Sequence, residues 1–195
     1  MRRGPRLRLP ELSQLILGNL VDAHDRNWRR LTGRIPAAAE ADAARIVRAF
    51  RGDIVLTPPR ASKWGSYRWR SDLGAKIFLN RDLQPEAMLI TLLHELAHAQ
   101  VRAWDGLGCA PHGAEWQKRY RELLAPFIGL PDVFSPSVAR ALQRQLHKPK
   151  ASCGAAPDLL RALRADSDQL RVEQLPEGAW FRLGNGMEFR KGPKR

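Results

Sequence analysis

Apolar residues recur along the chain with two different periods. Leu12, Leu15, Ile16 and Leu20 fall on one stripe at helical spacing, which predicts a helix from Glu11, just after Pro10, to about Leu31. Residues 37–50 continue in the same way, with Ile46, Val47 and Phe50 as apolar anchors. The period then switches to two. Asp53–Thr57 reads as a short strand stopped by Pro58-Pro59, residues 64–69 set Trp64, Ser66 and Arg68 against Gly65, Tyr67 and Trp69, and residues 75–79 predict a third strand. Trp69 is expected in the core. Helical spacing returns from Pro85 to about Trp104, where Pro85 suits the first turn, Glu86 complements the helix dipole and Asp105-Gly106 ends the element. Further helices are expected over 113–124, 138–146 and 158–164. In the tail, 179–183 and 187–190 flank Gly184-Asn185-Gly186, a β-hairpin signal. The sum is an α+β fold, a single domain whose small mixed or antiparallel sheet packs on the 85–104 helix. Residues 1–9 form a basic arm, 10–146 the domain, 147–157 a linker by composition, and 158–195 a short helix with a basic hairpin.

Composition narrows the partners. A 44% hydrophobic chain of 195 residues can build a real core, and no apolar run approaches the roughly 18 residues of a membrane span. Its 33 Lys+Arg against 20 Asp+Glu give a formal charge of +13, which favours polyanions, nucleic acid ahead of an anionic membrane surface. Cys109 and Cys153 are the only cysteines and form no CxxC pair, so a disulfide framework and a cysteine zinc ribbon are both excluded. Met1-Arg2-Arg3 imitates the start of a secretion signal, but Ser13, Gln14, Gly18 and Asn19 interrupt the apolar stretch from Leu12 to Val21. A cytoplasmic monomer without membrane contact is therefore expected.

The candidate chemistry sits on the 85–104 helix. His94-Glu95-Leu96-Ala97-His98 is an HExxH, and positions four apart differ by about 40° around a helix, so the two imidazoles point the same way. Such a pair is a clamp for Zn2+, with Glu95 alongside as the candidate catalytic base. His112, fourteen residues beyond His98, is the preferred third ligand; Asp105, Glu115 and Cys109 are the other candidates. His24 and His147 have no ligand spacing. Upstream, Arg60, Lys63, Trp64, Arg68 and Arg70 interleave cations with aromatic faces, which suits single-stranded or junction-like DNA, or else solvated cations around a packed strand. The strand 76–80 reads either as an edge receiving extended substrate or as an interior strand. Tyr67 and Tyr120 are the only phenols available to steady an oxyanion.

Thr91-Leu92-Leu93-His94-Glu95-Leu96-Ala97-His98-Ala99, followed by His112-Gly113-Ala114-Glu115-Trp116, resembles the SprT-like (Spartan-related) metalloprotease family. Gly65–Trp69 and Lys76–Asn80 are similar, more weakly, to that family's strand pair. The resemblance implies a zincin-like fold over roughly residues 12–130, with His94, His98 and His112 as Zn2+ ligands and Glu95 as general base. It also implies protein substrates, notably proteins trapped on DNA, hence a role in DNA repair. Many members add a four-cysteine ribbon that this chain cannot build; Arg182, Arg190, Lys191, Lys194 and Arg195 of the tail offer a basic surface instead. Two rival readings use the same residues: a zinc-stabilised DNA-binding module without catalysis, and a regulator-cleaving zincin with no nucleic-acid role.

Overall fold

In a computed structural model, the described residues are 25–60, 62–106, 108–147, 157–165, 175–182 and 187–193. Helix α1 is described over 25–31. A 3-10 turn (Ala37–Ala39) leads into α2 (Glu40–Ala49), followed by strands β1 (Gly52–Thr57), β2 (Gly65–Arg70) and β3 (Gly74–Asn80). Then come α3 (Pro85–Gln100), a π-helical turn (Val101–Asp105), α4 (Ala114–Ile128), α5 (Pro136–His147) and α6 (Pro157–Ala165). Strands β4 (Trp180–Arg182) and β5 (Glu188–Arg190) follow. The expected arm 1–9, the helix over 11–24 with His24, the linker core 148–156 with Cys153, and Lys194 and Arg195 lie outside the described residues, as does the His147 side chain.

The fold is α+β. Its three-stranded sheet runs β1-β3-β2, with β3 parallel to β1 and antiparallel to β2. The 76–80 strand is thus the interior one, and the edge near α3 belongs to β2. Ile77 and Leu79 of β3 share one face of the strand and are fully buried in the core. Two side chains fix the surroundings. Asn27 of α1 donates to the Gly52 carbonyl (2.7 Å) and accepts from the Ile54 N–H (2.9 Å), satisfying a buried amide while pinning α1 to β1. Asn80 donates to the carbonyls of Arg60 and Lys63, both at 3.1 Å, and holds the loop before β2.

Helix α3 runs through the middle of the molecule. Every residue from Ala87 to Ala97 is buried, His94 and Glu95 included, so it is a central helix with no solvated face over that span. Around it pack Val47 of α2, Ile54 and Ile77 of the sheet, Trp116, Leu124 and Phe127 of α4, Val138 of α5 and Leu159 of α6. Helix α4 extends past the expected 124 to Ile128, through Pro126, because Leu124 and the fully buried Phe127 anchor its last turn. The Ser135 N–H, just before α5, donates to the Glu86 carboxylate at the start of α3. Among the described residues no helix is long and apolar enough to cross a membrane.

Two compact units divide between Arg164 and Ala165. In the second, β4 and β5 pair antiparallel with Phe181 opposite Phe189, their rings stacked at 5.8 Å, and Arg182 bonds Glu188. Trp180 is 72% exposed. Residues 183–186, the expected turn, lie outside the described residues.

Candidate metal centre

His94 and His98 leave α3 one turn apart, as their spacing requires. His112 reaches them from the turn before α4, and its backbone takes φ 59°, the left-handed region. That conformation costs a side-chain-bearing residue energy, and here it turns the imidazole inward. The Gln117 amide donates to the His112 carbonyl (3.2 Å), and Gly113 caps α4 directly behind. The result is a convergence of three ring nitrogens: His112 Nε2 lies 3.0 Å from His98 Nε2 and 3.2 Å from His94 Nε2.

The donor set fits a metal ion. Ligand nitrogens arranged tetrahedrally at zinc's usual bond length stand about 3.3 Å apart. Three imidazoles also cannot satisfy one another by hydrogen bonds alone, since a single shared proton bridges only two nitrogens. Burial and the adjoining rings hold His94 down to about 3 and His98 to about 4, and burial lowers His112 as well. All three are therefore neutral lone-pair donors at physiological pH, the form a cation needs. His94, His98 and His112 could together hold a metal ion.

Trp116 forms the floor of this cluster. Its ring lies 4.7, 5.5 and 4.6 Å from those of His94, His98 and His112, and its indole N–H donates to the His94 carbonyl at 3.4 Å. Tyr120 stacks beneath it at 4.9 Å. The spacing signals this role: Trp116 follows His112 by four residues and Tyr120 follows Trp116 by four, so one face of α4 lines up under the ligands.

Glu95 sits beside the triad in a closed niche. Burial pushes its carboxyl up to about 7, against a backbone hydrogen bond at Tyr67 and the positive charges of Arg60 and Lys63. Gly65 makes the niche possible. A Cβ there would fall 2.6 Å from the Thr91 methyl and 2.8 Å from a Glu95 carboxylate oxygen, so only glycine lets β2 lie so close to α3. Sequence reading passed over Gly65 as one position of an alternating strand; a glycine among aromatic and cationic neighbours was the available signal.

The other candidates occupy varied positions. Arg60 donates from Nε to Asn80 Oδ1 (2.9 Å) and from Nη1 to the Ser66 hydroxyl (3.3 Å). Trp64 is half-buried against the core, while Lys63, Arg68 and Arg70 are exposed. Arg68 lies over Phe78 at 5.3 Å and Arg70 chelates Asp72. Trp69, expected in the core, is 45% exposed. Its ring faces the Arg102 guanidinium at 4.0 Å, because it lines an open groove beside α3 rather than the core. Of the other proposed third ligands, Glu115 is exposed, Asp105 pairs with Arg119, and Cys109 Sγ lies 3.6 Å from the Asp105 carbonyl. Tyr120 is buried under the histidines, and burial raises the half-buried Tyr67 phenol, with Arg102 opposing.

No curated protein and no solved structure matches the chain. The model of the SprT-like family matches residues 53–134, the span that holds the histidine cluster, Glu95, Gly65 and Trp116. Through that segment, the chain is similar to the SprT-like family.

Proposed function

We propose that the protein is a zinc-dependent endopeptidase with a zincin-type site, hydrolysing peptide bonds of protein substrates associated with nucleic acid. The observation that carries this reading is the meeting of three neutral imidazole nitrogens with a buried carboxyl on the same helix. His94, His98 and His112 are the residues that would hold Zn2+, and bound zinc would supply a Lewis acid and a more acidic water. Glu95 does the proton work. Its carboxylate accepts the proton of the attacking water and returns it to the nitrogen of the departing amine, so the amide C–N bond breaks to a free carboxylate and a free amine. A carboxyl lifted to about 7 exchanges protons readily near neutral pH. The Tyr67 backbone and the Gly65 niche orient it.

The nucleic-acid part of the reading is supported by the +13 charge and by the exposed Lys63, Arg68 and Arg70. The test compares wild type with Glu95→Gln on a DNA-binding protein, with and without DNA. Wild type should cleave, and faster with DNA at low salt. Glu95→Gln should bind zinc equally and lose cleavage by at least about 100-fold. Undiminished cleavage by Glu95→Gln refutes the mechanism; indifference to DNA leaves a peptidase and removes the nucleic-acid role.

A further inference from the structure

Beyond the histidine cluster, a groove of about 730 Å³ opens where the C-terminal end of α3 and its π turn diverge from the sheet. Leu96, Ala99, Ala103, Phe50, Ala75 and Leu123 give it an apolar floor. Trp69 and the 65% exposed Trp104 stand in its walls. Three arginines, Arg45, Arg51 and Arg102, line it, and none of its lining residues is acidic.

We propose that this groove is an exosite that captures an acidic, aromatic-rich segment of the protein substrate, away from the scissile bond. The inference rests on the peptidase reading and names the kind of sequence such a substrate carries. Charge complementarity sets the sign of the occupant, since Arg51 and Arg102 line the groove and Arg45, which also bonds Asp42, adds a third guanidinium. The floor sets its apolar content, because small side chains over a concave surface admit bulky ones. Nucleic acid fits less well. Trp69 and Trp104 each have one face occupied, by Arg102 at 4.0 Å and by Arg119 at 4.8 Å, which narrows the surface left for base stacking. Strand β2 connects the two places: Gly65 abuts Glu95, and Trp69 lies four residues on, about 13 Å at the usual strand rise. A substrate chain therefore spans niche and groove with some four residues.

The test is fluorescence-anisotropy binding of two labelled twelve-residue peptides to the full-length protein. One peptide alternates Glu/Asp with Phe/Leu; its control replaces every acid with Lys. The acidic peptide should bind at least tenfold more tightly than the control, and Arg45→Glu/Arg51→Glu and Ala103→Glu should each weaken it tenfold or more. Both variants should keep wild-type melting temperatures and wild-type zinc affinity. In cleavage assays they should raise KM for substrates fused to the acidic segment and leave an unfused substrate unchanged. Equal affinity for both peptides, indifference to Ala103→Glu, or displacement of the peptide by oligothymidine at equimolar concentration would each overturn the proposal. Variant-sensitive peptide binding in a protein that cleaves nothing would refute the peptidase reading and leave the groove standing; cleavage with no such binding does the reverse.

Discussion

His112 shows how much of the site depends on a single residue's backbone. At φ 59° it sits in the left-handed region, held over the Trp116 ring and by the Gln117 amide. His112→Ala should leave the fold intact and lower zinc affinity by more than the roughly 10–100-fold typical of losing an outer-shell partner, as read by competition with a chromophoric chelator. The depressed imidazoles also make the metal-free protein sensitive to acid. His94 and His98 bind protons more weakly folded than unfolded, so their stability contribution is complete above 6.5 and is lost as pH falls towards 4 and 3. Glu95 acts oppositely: raised to about 7, it favours folding below 4.5 and loses that contribution as pH rises through 7. Between 4.5 and 6.5 two histidines outweigh one carboxyl. The melting temperature of chelator-treated protein should therefore rise with pH across that window, and the slope should shrink in His94→Gln. HExxH was legible in the sequence because its geometry is local. The left-handed turn at His112 was not, since it depends on contacts with Trp116 and Gln117.

Among the elements, the closest approach is that of β2 to α3. Gly65→Ala must push a methyl into Thr91 and Glu95, so overpacking should cost about 1–3 kcal/mol in denaturant unfolding. It should also lower cleavage on the order of tenfold, by moving the Glu95 carboxylate. A variant as stable and as active as wild type would show that the niche has slack. Periodicity located β1, β2, β3, α3 and α4 because each repeats its own pattern. It does not tell that α3 lacks a solvated face, since the largely apolar stretch from Ala87 to Leu93 is compatible with burial on one side or on all. It stopped α4 too early, because the pull of buried Phe127 on the turn after Pro126 is tertiary. Trp69 failed for the same reason in reverse: its residue type favours the interior, but nothing in the sequence reveals where sheet and helix part.

At the scale of the whole molecule, the three histidines join α3 to the turn that leads into α4, beside the Trp116 indole that bonds the His94 carbonyl. A metal held by both ends of that joint should stabilise the fold by about 4 kcal/mol at a free concentration 1,000 times Kd. That corresponds to a rise of roughly 10 °C in melting temperature for a chain of this size, reversed by chelator and absent in His98→Ala. Charge was the first whole-chain property to suggest a partner, and Lys63, Arg68 and Arg70 carry part of that charge at the surface. Arg60, turned inward to Asn80 and Ser66, serves the loop before β2 instead. Two ligand nitrogens stand on a helix that is buried whatever the third one does, while the third rides on the short turn ahead of α4. An ion would therefore meet a clamp already formed, with His112 Nε2 standing 3.0 Å and 3.2 Å from the other two nitrogens. Loading would then ask for little reorganisation of the chain, and the finished protein could take up the ion directly.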